Sequence, residues 1–510
     1  MLAKLDSYAL SGVDGYKVEI EVDLNAGLPS YDIVGLGDTA IKESKERVRS
    51  AIKNSCFAFP LKKVTINLAP ADSKKEGSYF DLAISVAMLV ASEQLECDNY
   101  KDYVFVGELS LDGSLRHIKG MMPLLISALQ AGHRKFIIPK ANAEEASYVE
   151  GCEIYALDNL QDVVGFLAGT RQFQPLPTKE FVSIENGNKY SVDFGEVKGQ
   201  YVAKRAIEIA VAGGHNILMI GPPGAGKTMM AKCVPTIMPD MSFEEAIEVT
   251  KIHSIAGILD TQKGIVCQRP FRTPHHTATI PSLIGGGSKS KPGEVSLAHN
   301  GVLFLDEMPE YQRKTLETLR QPLEDGYVTV SRAKQSLEYP AKFMLVASMN
   351  PCPCGNFGSK TQQCKCTANE IHKYVSKLSG PLIDRIDLQI EVDNISYEEL
   401  RGTSNEESSA SIKKRVEKAR AIQRERYKGT SVFVNAYMTN AQVKKYCALD
   451  KSCEVLLKNA FEKLNLSARG STRILKVART IADLDGSENI LPVHITEAIQ
   501  YRSLDRKYWE

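Results

Sequence analysis

The octapeptide Gly221-Pro222-Pro223-Gly224-Ala225-Gly226-Lys227-Thr228 constrains this chain more than any other segment. It follows the apolar run Ile217-Leu218-Met219-Ile220 and precedes a helical stretch, the strand–loop–helix setting that a phosphate loop requires. Its glycines let backbone N–H groups turn inward to phosphate oxygens, and the following helix adds the positive end of its dipole. Lys227 is expected to reach the β- and γ-phosphates of ATP, and Thr228 to ligate magnesium. Such a loop needs a parallel α/β sheet to carry it, and residues 199–393, with strand, glycine-rich turn, helix and strand, fit that plan.

Two more apolar strands in this region end in polar residues. Gly301-Val302-Leu303-Phe304-Leu305-Asp306-Glu307 ends in two acids: Asp306 suits a place just behind the magnesium's own ligands, and Glu307 suits orienting and deprotonating an attacking water. Phe343 to Met349 ends at Asn350, whose amide suits a sensor of the γ-phosphate; the Asn350-Pro351 pair also suits a plain surface turn. Gly380-Pro381-Leu382-Ile383-Asp384-Arg385-Ile386-Asp387 offers Arg385, a guanidinium able to stabilise transition-state charge on a neighbouring subunit's nucleotide. ATP hydrolysis is the expected chemistry.

At 510 residues the chain is long enough for about three domains. Residues 1–172 mix strand-like stretches, such as the period-two Tyr16 to Val22, with helix-like ones, such as Leu82 to Ala91. Residues 173–198 have linker chemistry, with two prolines at the start and then Asn186-Gly187-Asn188. Residues 394–510 carry apolar positions at helical spacing, Ile412, Val416, Ala419 and Ile422, and read as an all-helical lid. No run approaches a membrane span, and the start lacks a secretory plan, so a cytoplasmic protein is expected. The net charge of +1 hides an asymmetry: Ser409 to Arg479 holds 17 Lys or Arg against 5 Asp or Glu, +12, leaving −11 elsewhere. A polyanion would therefore meet particular surfaces, although a basic solvated helical face accounts for the same count.

Four of the 11 cysteines form two Cys-x-Cys pairs nine residues apart, Cys352-Pro353-Cys354 and Cys364-Lys365-Cys366. Four such thiolates can close a structural zinc site, while unligated loop thiols fit the same residues. Disulfides are disfavoured in a cytoplasmic setting.

The phosphate loop, acid-ended strand, Asn350 and Leu382-Ile383-Asp384-Arg385-Ile386-Asp387 together resemble AAA+ proteins of the magnesium-chelatase and MCM-helicase branch. More closely, Phe271-Arg272-Thr273-Pro274-His275-His276-Thr277 and Ser296-Leu297-Ala298-His299-Asn300-Gly301 are similar to the YifB/ComM proteins. That resemblance covers essentially the whole chain. It implies a homohexameric ring that binds branched or single-stranded DNA and uses ATP to drive branch migration in recombination and natural transformation. It places Arg385 at the arginine-finger position. In Ser467-Ala468-Arg469-Gly470-Ser471-Thr472-Arg473 it places Arg473, ahead of Arg469, at the second sensor.

The same resemblance suggests where DNA would touch. Tyr327 to Ser331 alternates, turns through Arg332-Ala333-Lys334-Gln335 and returns along Ser336 to Tyr339, matching a pore hairpin whose Arg332 and Lys334 would meet phosphates. Residues 272–292 match a second pore insertion, with Lys289 and Lys291 in a glycine-rich cationic loop. Solvated turns fit both segments too, and nothing local assigns His275 or His276. Residues 70–81 and 107–113 resemble a Lon-protease domain of the ribosomal-S5 domain-2 type. There Tyr79 stands where the nucleophilic serine belongs and Met122 near the lysine position, with Ser78 and Lys119 just off those places, so a proteolytically inactive domain is expected. Two alternatives remain at this point. One is a chelatase-type motor remodelling a protein partner, which the expectation that such motors match only the later part of the chain weighs against. The other, an ATP-dependent protease, lacks its dyad.

Overall fold

The computed structural model describes residues 2–35, 37, 39–71, 75, 77–181, 190–287, 291–332, 335–359, 362–394, 406–430, 432–464, 466–504 and 508. The chain divides into two compact units. The first takes Met1–Ser183, Ser242–Cys267 and Lys334–Tyr339, and the second takes Ile184–Met241, Gln268–Ala333 and Pro340–Glu510.

The first unit is built on a seven-stranded mixed sheet. Its order is Ser30–Val34, Lys63–Ala69, Asp14–Asn25, Leu2–Ser11, Tyr103–Phe105, Lys135–Pro139 and Glu153–Leu157. The central pair is a hairpin with Ser11 opposite Asp14, closed by Gly12-Val13 with Gly12 at φ 63°, a backbone that glycine adopts without strain. The expected period-two strand buries Val18, Ile20, Val22 and Leu24 on one face. The expected buried helix runs Asp81–Ala91, and its apolar residues are enclosed almost without exception.

The second unit carries a five-stranded sheet in the order Phe271–Arg272, Val302–Leu305, Met344–Met349, Ile217–Ile220 and Leu388–Glu391, every pairing parallel. The phosphate-loop strand therefore lies beside the Asn350 strand, and the acid-ended strand lies on the far side of that. Ile220 pairs with Met349 and Leu305 with Ala347, so two strands end level and the acid-ended strand stops two residues earlier, which brings Asp306 and Glu307 to the same edge. In parallel sheets ligands bind beyond these ends.

Helices Ser409–Arg426, Asn440–Tyr446, Lys451–Lys463, Ala468–Leu484 and Pro492–Gln500 make the C-terminal region helical. One apolar core runs from the sheet into them, from Ile217 and Val302 to Val477 and Ile481. One expectation fails here. Ile412, Val416 and Ala419 are buried as read, but Ile422 is exposed and Gln423 takes the inward place. Its amide donates to the Ala212 carbonyl (3.0 Å) and accepts from the Asn435 N–H (3.1 Å), so hydrogen bonding outweighs the apolar pattern at that turn.

Candidate nucleotide site

The loop after Ile220 is held by backbone before any side chain acts. Gly221 N–H donates to the Met349 carbonyl (3.1 Å), and a Cβ on Gly221 would sit 2.2 Å from the Val392 carbonyl oxygen, so no side chain fits. Gly224 and Gly226 take φ of 81° and 85°, and a Cβ on either would meet nothing within 4 Å. The turn thus requires glycine for its backbone and leaves open space on that side, the two conditions a phosphate cradle needs. Helix Lys227–Ile237 starts directly behind it.

Lys227 Nζ donates to the Gly221 and Pro222 carbonyls (2.6 and 2.8 Å) and to Asn350 Oδ1 (3.2 Å). Burial brings its pKa down to about 8 against the pull of Asp306 and Glu307. Thr228 donates to Asp306 Oδ2 (2.8 Å), while the other Asp306 oxygen accepts from the Ser348 hydroxyl and from the Glu307 N–H (3.1 Å). Glu307 is exposed at the strand's end in the left-handed region, φ 50° and ψ 48°. A non-glycine residue there carries strain of about 1–3 kcal/mol, and such strain gathers at functional sites. Its N–H is anchored to Ser348 Oγ (3.2 Å). Ser348 escaped the sequence reading, although it precedes Asn350 by two and so shares its face of the strand. Gln200 was also missed. Its amide donates to the Asp393 carbonyl (2.6 Å), beyond the strand beside the loop.

The two arginines are placed less openly. Arg385 is 6% exposed. It is ion-paired with Glu324 and donates to the Pro381 carbonyl (2.7 Å), while Arg469, exposed, approaches the same Glu324 (3.8 Å). Arg473 pairs with Asp387. Burial opposes charge on Asp387, yet Arg473 and His215 (3.3 Å) hold its carboxyl well below the usual carboxylate range. Asp387 closes the Leu382–Asp387 motif, but its pairing with Arg473, like that of Glu324 with Arg385 and of His215 with Asp387, gave no signal in the sequence because the partners are far along the chain.

Tyr327–Arg332 and Gln335–Pro340 form the expected two-stranded hairpin. In the second insertion, Gly285–Gly286 pairs with Lys291–Pro292, and Lys291 is exposed. A Cβ on Gly286 would lie 3.9 Å from Val330 Cγ1, so the two insertions run side by side. Lys289, Lys334 and the side chain of Arg332 lie outside the described residues. His275 bonds Thr277 (2.8 Å) and lies against His276 with the ring centroids 4.0 Å apart and the planes tilted by 35°. The four cysteines are gathered, all four sulfurs within 4.8 Å of one another. In the first unit, Ser78 donates to Glu108, Met122 is buried and Lys119 is exposed.

A parallel sheet in this order, with the glycine loop, the acid pair and Asn350 on one edge and helices following, defines a AAA+ P-loop unit of the magnesium-chelatase type. Models for "Magnesium chelatase, subunit ChlI", "Subunit ChlI of Mg-chelatase" and "Magnesium chelatase, subunit ChlI C-terminal" match residues 193–400, 20–142 and 406–502. The second match corrects the expectation that chelatase likeness is confined to the later part of the chain. Competence protein ComM of Haemophilus influenzae is 44% identical over 99% of this chain and 98% of its own. The uncharacterized protein YifB of Escherichia coli is 43% identical over the same shares. The chloroplastic magnesium-chelatase subunit ChlI of Glycine max is 24% identical over 50% of this chain and 53% of its own. The chain belongs to the YifB/ComM family of magnesium-chelatase-like AAA+ proteins.

Proposed function

We propose that this protein is an ATP-driven DNA motor that assembles as a homohexamer and promotes branch migration and heteroduplex extension in recombination and natural transformation. The observation that carries the motor is the convergence of Lys227 on Asn350 and of Thr228 on Asp306 at neighbouring strand ends. Gly224, Gly226 and Lys227 cradle the triphosphate, and Asn350 sits where it can sense the terminal phosphate. The Thr228 hydroxyl and the Asp306 carboxylate are hard oxygen donors 2.8 Å apart, which suits magnesium. Magnesium bound there would neutralise charge on the phosphate oxygens. Glu307 accepts the proton of the water that attacks phosphorus as the bond to ADP breaks. Arg385 completes the charge from the neighbouring subunit once released from Glu324, and Arg473 does so from the lid.

The DNA part rests on the adjoining cationic insertions, with Lys289, Lys291, Arg332 and Lys334 as phosphate contacts, and on likeness to a competence protein. Protein remodelling of the chelatase kind is the second reading, favoured by the match over residues 20–142. The test is ATP turnover with and without forked DNA, paired with migration of a four-way junction. The expected result is stimulation by DNA, lost in Glu307→Gln and weakened in Arg332→Ala/Lys334→Ala. Turnover and junctions both indifferent to DNA would overturn the DNA reading in favour of remodelling.

A further inference from the structure

The cysteine cluster stands immediately beyond the nucleotide site. Cys352 Sγ lies 3.3 Å from Cys354 Sγ and 3.7 Å from Cys364 Sγ, and the last two are 3.6 Å apart. Zinc–sulfur bonds of about 2.3 Å in a tetrahedron put the sulfurs about 3.8 Å apart, whereas a disulfide brings them to about 2.05 Å. Three of the sulfurs are therefore spaced as ligands around one ion, and the fourth, that of Cys366, lies within 4.8 Å of each of them. The local backbone supports it: the Phe357 N–H points at Cys352 Sγ (3.3 Å), and Gly355, at φ 80°, donates to the Cys352 carbonyl (3.0 Å) to close the turn between the first two cysteines. Four soft thiolates in a closed tetrahedral shell suit zinc, as they also suit iron, and leave no position for a reacting water.

The turn is tied to the phosphate loop on several sides. Upstream, Met349 and Asn350 accept from Gly221 (3.1 Å) and Lys227 (3.2 Å). At its tip, a Cβ on Gly355 would lie 2.6 Å from Pro223 Cδ, so the turn presses on the loop itself. Downstream of Cys366, Thr367 caps helix Ala368–Val375, whose Tyr374 hydroxyl meets the Asn350 backbone. Phe357 packs edge-on against Tyr508 (6.4 Å), and Tyr508 donates to Glu391 (2.9 Å) at the end of the strand beside the loop.

We propose that Cys352, Cys354, Cys364 and Cys366 hold one structural zinc ion, and that the knuckle it closes braces Pro223 and Asn350 so that ATP binds tightly only to the zinc-loaded protein. The coupling rests on the nucleotide reading given above; the metal site does not. The experiment uses the full-length chain purified without chelator, with zinc and iron measured per chain and affinity read from a fluorescent ATP analogue. One zinc per chain is expected, lost in Cys354→Ser/Cys364→Ser. Removing zinc from the folded wild type by chelation should weaken the analogue at least about ten-fold, the scale of one misplaced phosphate contact, and zinc should restore it. Gly355→Ala should keep its zinc and still bind the analogue more weakly, which separates bracing from loss of fold. A chain without zinc, or with iron in its place, overturns the site. Equal affinity with and without zinc overturns the brace. Zinc-loaded protein that binds no nucleotide leaves the metal site standing and sinks the ATP reading.

Discussion

The two units both bury charge in an α/β frame, but they finish it differently. In the first unit Asp81 accepts from Arg47 Nε (2.8 Å) and the Leu109 N–H (3.3 Å), and one oxygen of Glu145 takes both the Met122 N–H (2.9 Å) and the Ser254 hydroxyl (2.5 Å). Burial pushes these carboxyls up, to about 6 and about 7. Each is enclosed by its own neighbours and belongs to the fold. In the second unit Lys227, Thr228, Asp306, Glu307 and Asn350 come from three separate strand ends, meet at one edge, and stand beside a glycine turn with open space. Perturbed charge alone does not mark a site; convergence at the carboxyl edge of a parallel sheet does.

That contrast is tested hardest at the lysine. Lys227→Ala should abolish binding of ATP and reduce turnover to background, because among the described residues no other ammonium is held on the Gly221 and Pro222 carbonyls. Calorimetric titration with ATP reads it directly, and retained micromolar binding would break the comparison. The next largest effect is expected at Arg385→Ala, a loss of about 10³-fold in kcat with ATP binding kept, if the guanidinium acts across a subunit boundary. Mixing Arg385→Ala with Lys227→Ala chains should recover part of the activity, since one supplies the finger and the other the intact loop. No recovery would place Arg385 in a structural role with Glu324, where the described contacts already engage it.

How far the sequence could be read follows the same division. Local features were legible: the loop, the acid pair, Asn350, the cysteine pairs and the period-two strand each declare themselves within about fifteen residues. What was hidden was long-range pairing. Glu324 reaches Arg385, Asp387 reaches Arg473, and His215 joins Asp387 to Thr480 (2.8 Å). No spacing rule links such positions, because the fold sets them side by side. Ile422 and Gln423 show the other limit, where one hydrogen-bonded amide displaces an apolar residue from the inward position.

A smaller effect sharpens the contrast through pH. Burial holds the Lys227 ammonium at a pKa of about 8, while the bound phosphates need its charged form. Below about 8 the lysine is protonated and affinity is full. Above it the free protein has lost that proton, and binding must take one up. Affinity should then fall up to about ten-fold per pH unit from roughly pH 8 to 10, with proton uptake visible in calorimetry. An affinity flat across that window would mean the loop does not depress the lysine.

The smallest effect is expected in the first unit, at Ser78. A nucleophilic serine needs a base that can take its proton and return it to a leaving group, as a neutral lysine does in a serine–lysine dyad. The Ser78 hydroxyl donates instead to Glu108, while Lys119 is exposed with its chain against Gly257. Ser78→Ala should therefore cost about 1 kcal/mol of stability, the value of one part-buried hydrogen bond, and leave ATP turnover unchanged. Casein should stay intact with wild type and variant alike. If wild type cleaves it and the variant does not, the first unit holds a site of its own. Enclosure of charge by neighbouring side chains would then no longer distinguish the first unit from the second.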